Sequence, residues 1–263
     1  MRIMICGSFG GIEHVPTIEQ RLACVKAAGF DAVEAAAPQM APEDWKTHLG
    51  KQGLSYIGTI AAQDAQSFRR QLDHIRAYDP ILVVAASGRD FMKFREGCEF
   101  FLAALAAERE LGVPVAHETR RQTLFYAPWA TLPYLEEFPD LKLCADFSHW
   151  CVVCESMMDA LSDIVALACE RAVHIHARVG YEQGPQVSDP RAPEYEPYVQ
   201  RHEKWWDLVY ESRKGSGADR LTVTPRFKPP PYQQALPYTR QPVVDLWDIS
   251  CWMARRLRAR WAC

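Results

Sequence analysis

Four short segments of this chain end in ionisable side chains. "AHET" carries Glu118, and "ADFSHW" carries Asp146 and His149. "HIHARVG" carries His174, His176 and Arg178, and "TVTPRFKPPPY" carries Arg226 and Lys228. Each closes a short apolar, β-branched run of the kind that forms a buried strand. Side chains alternate along a strand, so Ala116 shares a face with Glu118, Cys144 with Asp146, His174 with His176 and Arg178, and Thr224 with Arg226. If those faces point toward one axis, Glu118, Asp146, His176 and Arg226 converge. Two carboxylates and an imidazole make a mixed oxygen and nitrogen donor set for a divalent metal, and the same groups can move protons. Glu34 ends another such run, "DAVEAAA", and joins the candidates.

Neighbouring residues divide by face and by plainer explanations. His174 reads as a hydrogen-bonded interior histidine. His117 falls on the face opposite Glu118, toward the helices. His149 lies three residues past Asp146, where it can reach over a pocket. Phe125, Tyr126, Trp129 and Trp150 stand near the same strand ends. Flat rings suit a sugar face or a planar ligand, and packing of helices on the sheet is the plainer account of each. Trp150 is retained as a candidate substrate contact.

Eight strand–helix units must position these groups. The strands are "RIMICGS", "DAVEAAA", "LSYIGTIAA", "PILVVAAS", "VPVAHET", "LKLCADFS", "AVHIHARVG" and "RLTVTPRF". Amphipathic segments between them predict helices over 17–28, 42–51, 65–78, 91–111, 128–138, 155–171 and 196–214, with a last one over 242–260. Near-continuous apolar strands separated by helices imply a parallel sheet covered by helices, and eight units imply closure. The expected fold class is therefore α/β, a (β/α)8 TIM barrel, as a single domain over 1–263. Sites in such barrels sit at the C-terminal strand ends, where the ionisable residues fall. The segment 181–195, "YEQGPQVSDPRAPEY", is long, polar and proline-rich, and is expected to close over substrate as a lid.

Composition narrows the function classes. The 263 residues are 48% hydrophobic, enough for a sizeable core, and the net charge is -3. That balance lacks the basic footprint of a nucleic-acid binder. No apolar run reaches the roughly 20 residues of a membrane span, and "MRIMICGSFGG" reads as a strand rather than a secretory signal. A cytoplasmic protein with a small-molecule substrate, and without nucleic-acid or membrane partners, is expected. The nine cysteines are scattered and odd in number, unlike a disulfide framework. Cys151 and Cys154 form the one tight pair, read as two reduced cysteines.

On "AHET", "ADFSHW", "HIHARVG" and the "TVTP-F" of strand eight, and on the eight-unit layout, the chain resembles the xylose isomerase-like TIM barrel superfamily. That group includes sugar phosphate isomerases and epimerases, dehydratases and endonuclease IV-type nucleases. The resemblance implies that Glu118, Asp146 and His176 are ligands of one divalent metal (Mn, Zn, Co or Mg). It implies that His149 touches substrate, that Arg178 holds an anionic or hydroxyl group, and that Glu34 supports the metal or substrate. Barrels of this kind often pair, so a homodimer is a further expectation.

One position departs from the pattern. The family has Glu and Gly where this chain has Arg226 and Lys228. Exchanging −1 for +1 about 5 Å from a dication is a swing of roughly 13 kcal/mol at an effective dielectric of about 20. Two arrangements follow. Arg226 swings out and leaves a three-ligand metal site, or its guanidinium takes the metal's place and bridges Glu118 and Asp146. The second is the expectation, which leaves the cofactor as a divalent metal or none. The activity implied is isomerase, epimerase or lyase chemistry on a small polyhydroxy or anionic carbonyl substrate. Catalytic candidates are Glu118, Asp146, His149, His176 and Arg226; substrate-binding candidates are Glu34, Arg178, Lys228 and Trp150. The alternative is a catalytically inactive barrel that binds a ligand or serves as a scaffold. A nuclease needs a multi-zinc site and a basic surface, and the acidic balance argues against it.

Overall fold

A computed structural model describes residues 1–262. Eight parallel strands close into a barrel in sequence order, β1 to β8. They are β1 (Arg2–Gly7), β2 (Ala32–Ala35), β3 (Ser55–Ala62), β4 (Leu82–Ser87), β5 (Val115–Glu118), β6 (Leu143–Ala145), β7 (Ala172–His176) and β8 (Arg220–Thr224). The helices are α1 (Ile18–Ala27), α2 (Pro42–Gln52), α3 (Ala65–Arg76), α4 (Phe94–Leu111), α5 (Pro128–Glu137), α6 (Phe147–Cys154), α7 (Ser162–Arg171), α8 (Glu196–Gly215) and α9 (Leu246–Arg260). Local chemistry sets several boundaries. Thr17 caps α1 in a reciprocal box with Gln20. Gly53 and Gly112 end α2 and α4 in left-handed conformation.

Two expected boundaries move. The helix expected over 155–171 begins earlier: α6 opens at Phe147, directly after Asp146, and stops where Glu155 turns left-handed. A short 3-10 turn and α7 then complete the crossover. The buried run Phe147, Ser148, Trp150 and Cys151 starts the helix at the strand end, and no polar linker precedes it. The last helix starts at Leu246 with Asp245 as its cap, not at Pro242. The prolines after Phe227 hold the intervening segment extended and turned.

The barrel carries two apolar layers. Outward side chains such as Val33, Val83, Val115, Ile175 and Val223 pack under the helices. The inside is narrow and filled by Met4, Cys6, Ala32, Ile57, Leu82, Val84, Ala116 and Cys144. Register then lifts the polar residues onto the same inward faces one step higher. Glu118 lies beside Cys144, His174 beside Thr222 and His176 beside Thr224. His117 points the other way, as expected, stacked on Phe68 with its Nδ1 2.7 Å from Ser87 Oγ. No helix among the described residues is long and apolar enough to cross a membrane.

Candidate functional site

At the C-terminal end of the barrel His176 is the hub. Its Nδ1 lies 3.0 Å from Glu118 Oε1 and 3.6 Å from Asp146 Oδ2, and its Nε2 lies 3.0 Å from Glu34 Oε1. Burial alone would push this imidazole down, but the carboxylates around it raise it well above its ordinary value. Cys144 also lies close, but its thiol is itself raised to about 12 and stays neutral. His176 is therefore an imidazolium that donates one N–H to Glu118 and the other to Glu34.

Three carboxylates thus each have a cationic partner from the chain. Glu34 faces His176 and also Arg226, whose Nε lies 3.4 Å from Glu34 Oε1. Burial would raise Glu34, but Arg226 and then His176 hold it well below the carboxylate range. Glu118 has His176 and, at 3.4 Å, Arg120 Nη1, and is likewise held low against its burial. Asp146 accepts from Arg178 Nη2 at 2.5 Å and from Ser148 Oγ at 2.5 Å. Burial opposes that charge too, and Arg178 foremost keeps Asp146 ionised. His174 is the interior histidine expected, with Nδ1 2.7 Å from Thr222 Oγ1 and Nε2 3.2 Å from Glu34 Oε2.

Several expectations are corrected by this arrangement. Arg226 does not bridge Glu118 and Asp146; it reaches past β1 to Glu34 on β2. The guanidinium partner of Asp146 is Arg178, through Nη2 alone, and it was expected to stand free for substrate. The reason is the backbone after β7. The Arg178 N–H turns back to the His176 carbonyl at 2.9 Å, so the side chain folds inward and is wholly buried. Its Nε bonds Ser148 Oγ at 3.0 Å and its Nη2 lies 2.7 Å from His149 Nε2. Gly180 makes this possible: a Cβ there would stand 2.8 Å from Ser148 Cβ, so only glycine lets the start of α6 come so near. His149 is buried under the mouth between Arg178 and Arg121, whose Nε lies 3.2 Å from its Nδ1. Burial first and Arg178 second push its pKa down to about 3, so it is a neutral imidazole. Trp150 is fully buried, with Nε1 bonded to the Phe125 carbonyl and its ring against Phe147, and is not at the mouth. Phe125 is buried as well, stacked on Phe101.

The 181–195 segment is docked rather than open. Val187 is wholly buried and its N–H bonds the Val179 carbonyl at 2.9 Å. The Gln186 side chain accepts from the Lys228 N–H at 2.8 Å and donates to the Lys228 carbonyl at 3.0 Å. Lys228 follows Arg226 two residues on, with Phe227 between them buried in the core. Its Nζ sits 5.4 Å from the Tyr232 ring centroid, and Arg178 Cζ is 4.8 Å from the same centroid. Burial, then Arg226, Arg120 and Arg178, lower its pKa to about 8 against the pull of Glu118. Ser148, Gln186 and Tyr232 are thus part of the site, and sequence reasoning missed all three. Tyr232 follows the prolines directly, and that was its one legible signal.

A cavity of about 290 Å³ opens among these groups, lined by Glu118, Arg120, His176, Arg226, Thr59 and Gln71. It shares Ala36, Thr59, Ile60 and Gln71 with a wider recess of about 480 Å³ that adds Arg70 and His74. A carboxylate and an imidazolium face two guanidinium groups across the inner space.

Two donor groups capable of holding a metal come together among the described residues. Glu118, Asp146 and His149 form one, and Cys144, His174 and His176 the other, each with ligand atoms within 4.8 Å. The expected set of Glu118, Asp146 and His176 also converges. Its surroundings do not fit a dication, however. Asp146 is held by Arg178, both nitrogens of His176 are engaged by carboxylates, and Arg226 adds a further cation beside Glu34. Glu34, Glu118 and Asp146 are already matched by Arg226, His176 and Arg178, with Arg120 and Lys228 in excess. A divalent ion would add charge to a place that has no free anion to receive it.

No protein-family model and no curated protein matches the chain. Solved structures match in fold over nearly the whole chain. The probable 3-DHS dehydratase AsbF of Bacillus anthracis superimposes with a TM-score of 0.61 at 12% identity, covering 97% of this chain and 98% of that one. A xylose isomerase domain protein of Planctomyces limnophilus gives 0.60 at 11%, covering 99% and 98%. Endonuclease IV of Thermus thermophilus gives 0.59 at 12%, covering 98% and 99%. At these identities the likeness is one of fold, the xylose isomerase-like barrel.

Proposed function

We propose that this xylose isomerase-like barrel is a proton-transfer enzyme, of isomerase, epimerase or dehydratase type, acting on a small anionic carbonyl compound without a metal. The observation that carries the reading is the pairing in one cavity of Glu118 and His176 with Arg120 and Arg226. Fixed cations aimed at a developing oxyanion stabilise an enolate electrostatically in a water-poor site. In this reading Arg226, Arg120 and Lys228 hold the substrate's carboxylate or phosphate and polarise its carbonyl. Glu118 takes the proton from the adjacent carbon, and His176, tied to both Glu118 and Glu34, keeps that carboxylate oriented. Asp146 orients His176, while Arg178 and His149 fix Asp146. The dehydratase and isomerase names of the structural neighbours are in keeping with carbon-acid chemistry on polyhydroxy compounds.

Solvent-isotope exchange tests the reading even when the product is unidentified. Small hydroxy-carbonyl acids and sugar phosphates are incubated with the chelator-treated protein in D2O, and deuterium at the carbon next to the carbonyl is followed by NMR. The expected result is exchange with anionic compounds, little with neutral sugars, and a loss of at least about a hundredfold in Glu118→Gln. Binding of anions with no exchange for any compound would overturn the enzymatic reading and leave the ligand-binding barrel.

A further inference from the structure

Glu118 already shares its charge with His176 and Arg120, which makes it a weak base. A weak base removes a proton from carbon only if the electron pair left behind has a strong sink. Fixed guanidinium groups are a moderate one, and the surroundings do not fit a dication. Lys228, which shares the Tyr232 ring with Arg178 beside the cavity that Glu118 lines, is the remaining group that can supply a stronger sink.

Its setting is unlike that of a structural lysine. The paired surface lysines Lys46 and Lys51 lie against Glu43 and Glu19. Lys228 forms no ion pair within 4.0 Å among the described residues, and its side chain lies against the face of Tyr232. The charged groups acting on it are Arg226 from just beyond β8, Glu118 from the end of β5, Arg120 from just beyond it, and Arg178 from beyond β7. Three of those four are cations. The backbone is held on both its N–H and its carbonyl by the buried Gln186 side chain, so the amine is carried on a fixed stem. A half-buried amine among guanidinium groups and without a counter-ion loses its proton more readily than a surface lysine, and the free amine is a nucleophile.

We infer that Lys228 forms an imine with the carbonyl of an anionic ketone held by Arg226 and Arg120. This rests on the proton-transfer reading above and deepens it. The Nζ lone pair attacks the carbonyl carbon, the C–N bond forms, and the carbonyl π pair moves to oxygen. A proton passes from nitrogen to that oxygen, solvent supplies a second proton to it, and water leaves as the remaining nitrogen lone pair forms the protonated C=N bond. That iminium accepts the electron pair of the neighbouring C–H bond as Glu118 takes the proton, and an enamine results. Delivery of a proton from solvent to the opposite face of that carbon, loss of the Glu118 proton to solvent, and hydrolysis of the iminium give an epimer and the free amine. Where the next carbon bears a hydroxyl, its loss as water gives the dehydrated product. A direct 1,2 shift of the carbonyl does not follow from this route, because the nitrogen would stay on the substrate carbon. The substrate class is thus an anionic ketone with an acidic neighbouring C–H bond.

Reductive trapping on the full chain tests the inference. The protein is incubated with pyruvate or with dihydroxyacetone phosphate, then with sodium cyanoborohydride, and the labelled lysine is located by peptide mass spectrometry. The expected result is one adduct, at Lys228, forming at least about tenfold faster than at any other lysine. Its rate should rise through about pH 8, and urea-unfolded protein should lose the preference. Lys228→Arg keeps the charge and should abolish the adduct. Labelling spread equally over the lysines, or unchanged in Lys228→Arg, overturns the imine. If isotope exchange persists without trapping, the imine fails and the proton-transfer reading stands; if both fail, the proton-transfer reading falls as well.

Discussion

Arg226 Nε lies 3.4 Å from Glu34 Oε1, and this contact joins the segment after β8 to β2, past the intervening β1. The Arg226 side chain is 18% exposed and that of Glu34 wholly buried, so the pair sits at the floor of the mouth. Removing one partner of a buried pair leaves an uncompensated charge. Arg226→Ala should therefore destabilise the protein by about 2–3 kcal/mol in urea unfolding, less than for an isolated pair because His174 and His176 remain on Glu34. Adding Glu34→Gln to it should recover part of the loss. A double variant as unstable as the sum of the singles would show that the two residues do not interact.

The same position separates the two cofactor readings. Arg226→Glu removes the excess of positive charge and adds a carboxylate beside Glu118, Asp146 and His176. Calorimetry with Mn2+ should show at least about tenfold tighter binding in Arg226→Glu than in the native chain, with proton release as His176 gives up its N–H to the ion. Tight stoichiometric binding by the native chain, unimproved in the variant, would mean that the guanidinium turns aside and that the family's metal chemistry operates here.

Acid stability follows from the carboxylates. Glu34, Glu118 and Asp146 all have folded pKa values below their unfolded ones. Their contribution is fully present above the unfolded carboxylate value of roughly 4 and is lost as pH falls through the folded values. His176 is raised, so its contribution is present below about 6.5 and is lost as pH rises through its folded value. Thermal melts should therefore fall steeply below about pH 4. Asp146→Asn should lose roughly 3–5 kcal/mol at pH 7 by stranding Arg178, and its acid limb should be shallower. An acid limb identical to that of the native chain would remove Asp146 from this account.

What the sequence disclosed here is what alternation along a strand can carry. Glu118 and His176 close β5 and β7 on the inward face, and Asp146 directly after β6 joins them in spite of a register shift between Leu143 and Cys144 where β6 meets β7. Arg178 keeps the inward face that alternation predicts, but its engagement by Asp146, Ser148 and His149 was not legible, because the start of α6 that carries those partners is brought to it only by the fold. Trp150 escaped because α6 begins at once after Asp146, which sends the ring into the core and brings Ser148 to the guanidinium. The barrel itself was legible from eight apolar runs, whereas the Arg226–Glu34 contact depends on closure between β8 and β1 and on the width of the interior. No local pattern encodes that width.

Tyr232 links two of the cations that sequence reasoning treated separately. Its ring lies against both Arg178 and Lys228, and edge-on to His149 at 6.0 Å between centroids. Cation–ring contacts of this kind contribute about 0.5–2 kcal/mol each. Tyr232→Ala should cost about 1–2 kcal/mol in stability and should open Arg178 to water, while Tyr232→Phe should stay within about 0.5 kcal/mol of native. A large loss in Tyr232→Phe would assign the weight to the hydroxyl instead, and would make the phenol a candidate proton donor.

The docked 181–195 segment gives the last test. A lid in the open state exchanges its amide hydrogens quickly and gains protection only when ligand binds. Here Gln186 is clamped to both backbone groups of Lys228, Val187 is buried, and Arg191 bridges Asp189 to Asp248 on α9. The ligand-free protein should already protect the Val187 amide, and Lys228 should be protected with it. Gln186→Ala should raise exchange at both by at least about tenfold, because the Lys228 N–H and carbonyl lose their partner together. Gln186→Glu should fall between, since a carboxylate still accepts from the N–H but offers nothing to the carbonyl. Fast exchange at Val187 in the native protein, slowed only by pyruvate or a sugar phosphate, would restore the lid and make the clamp on Lys228 a feature of the closed state alone.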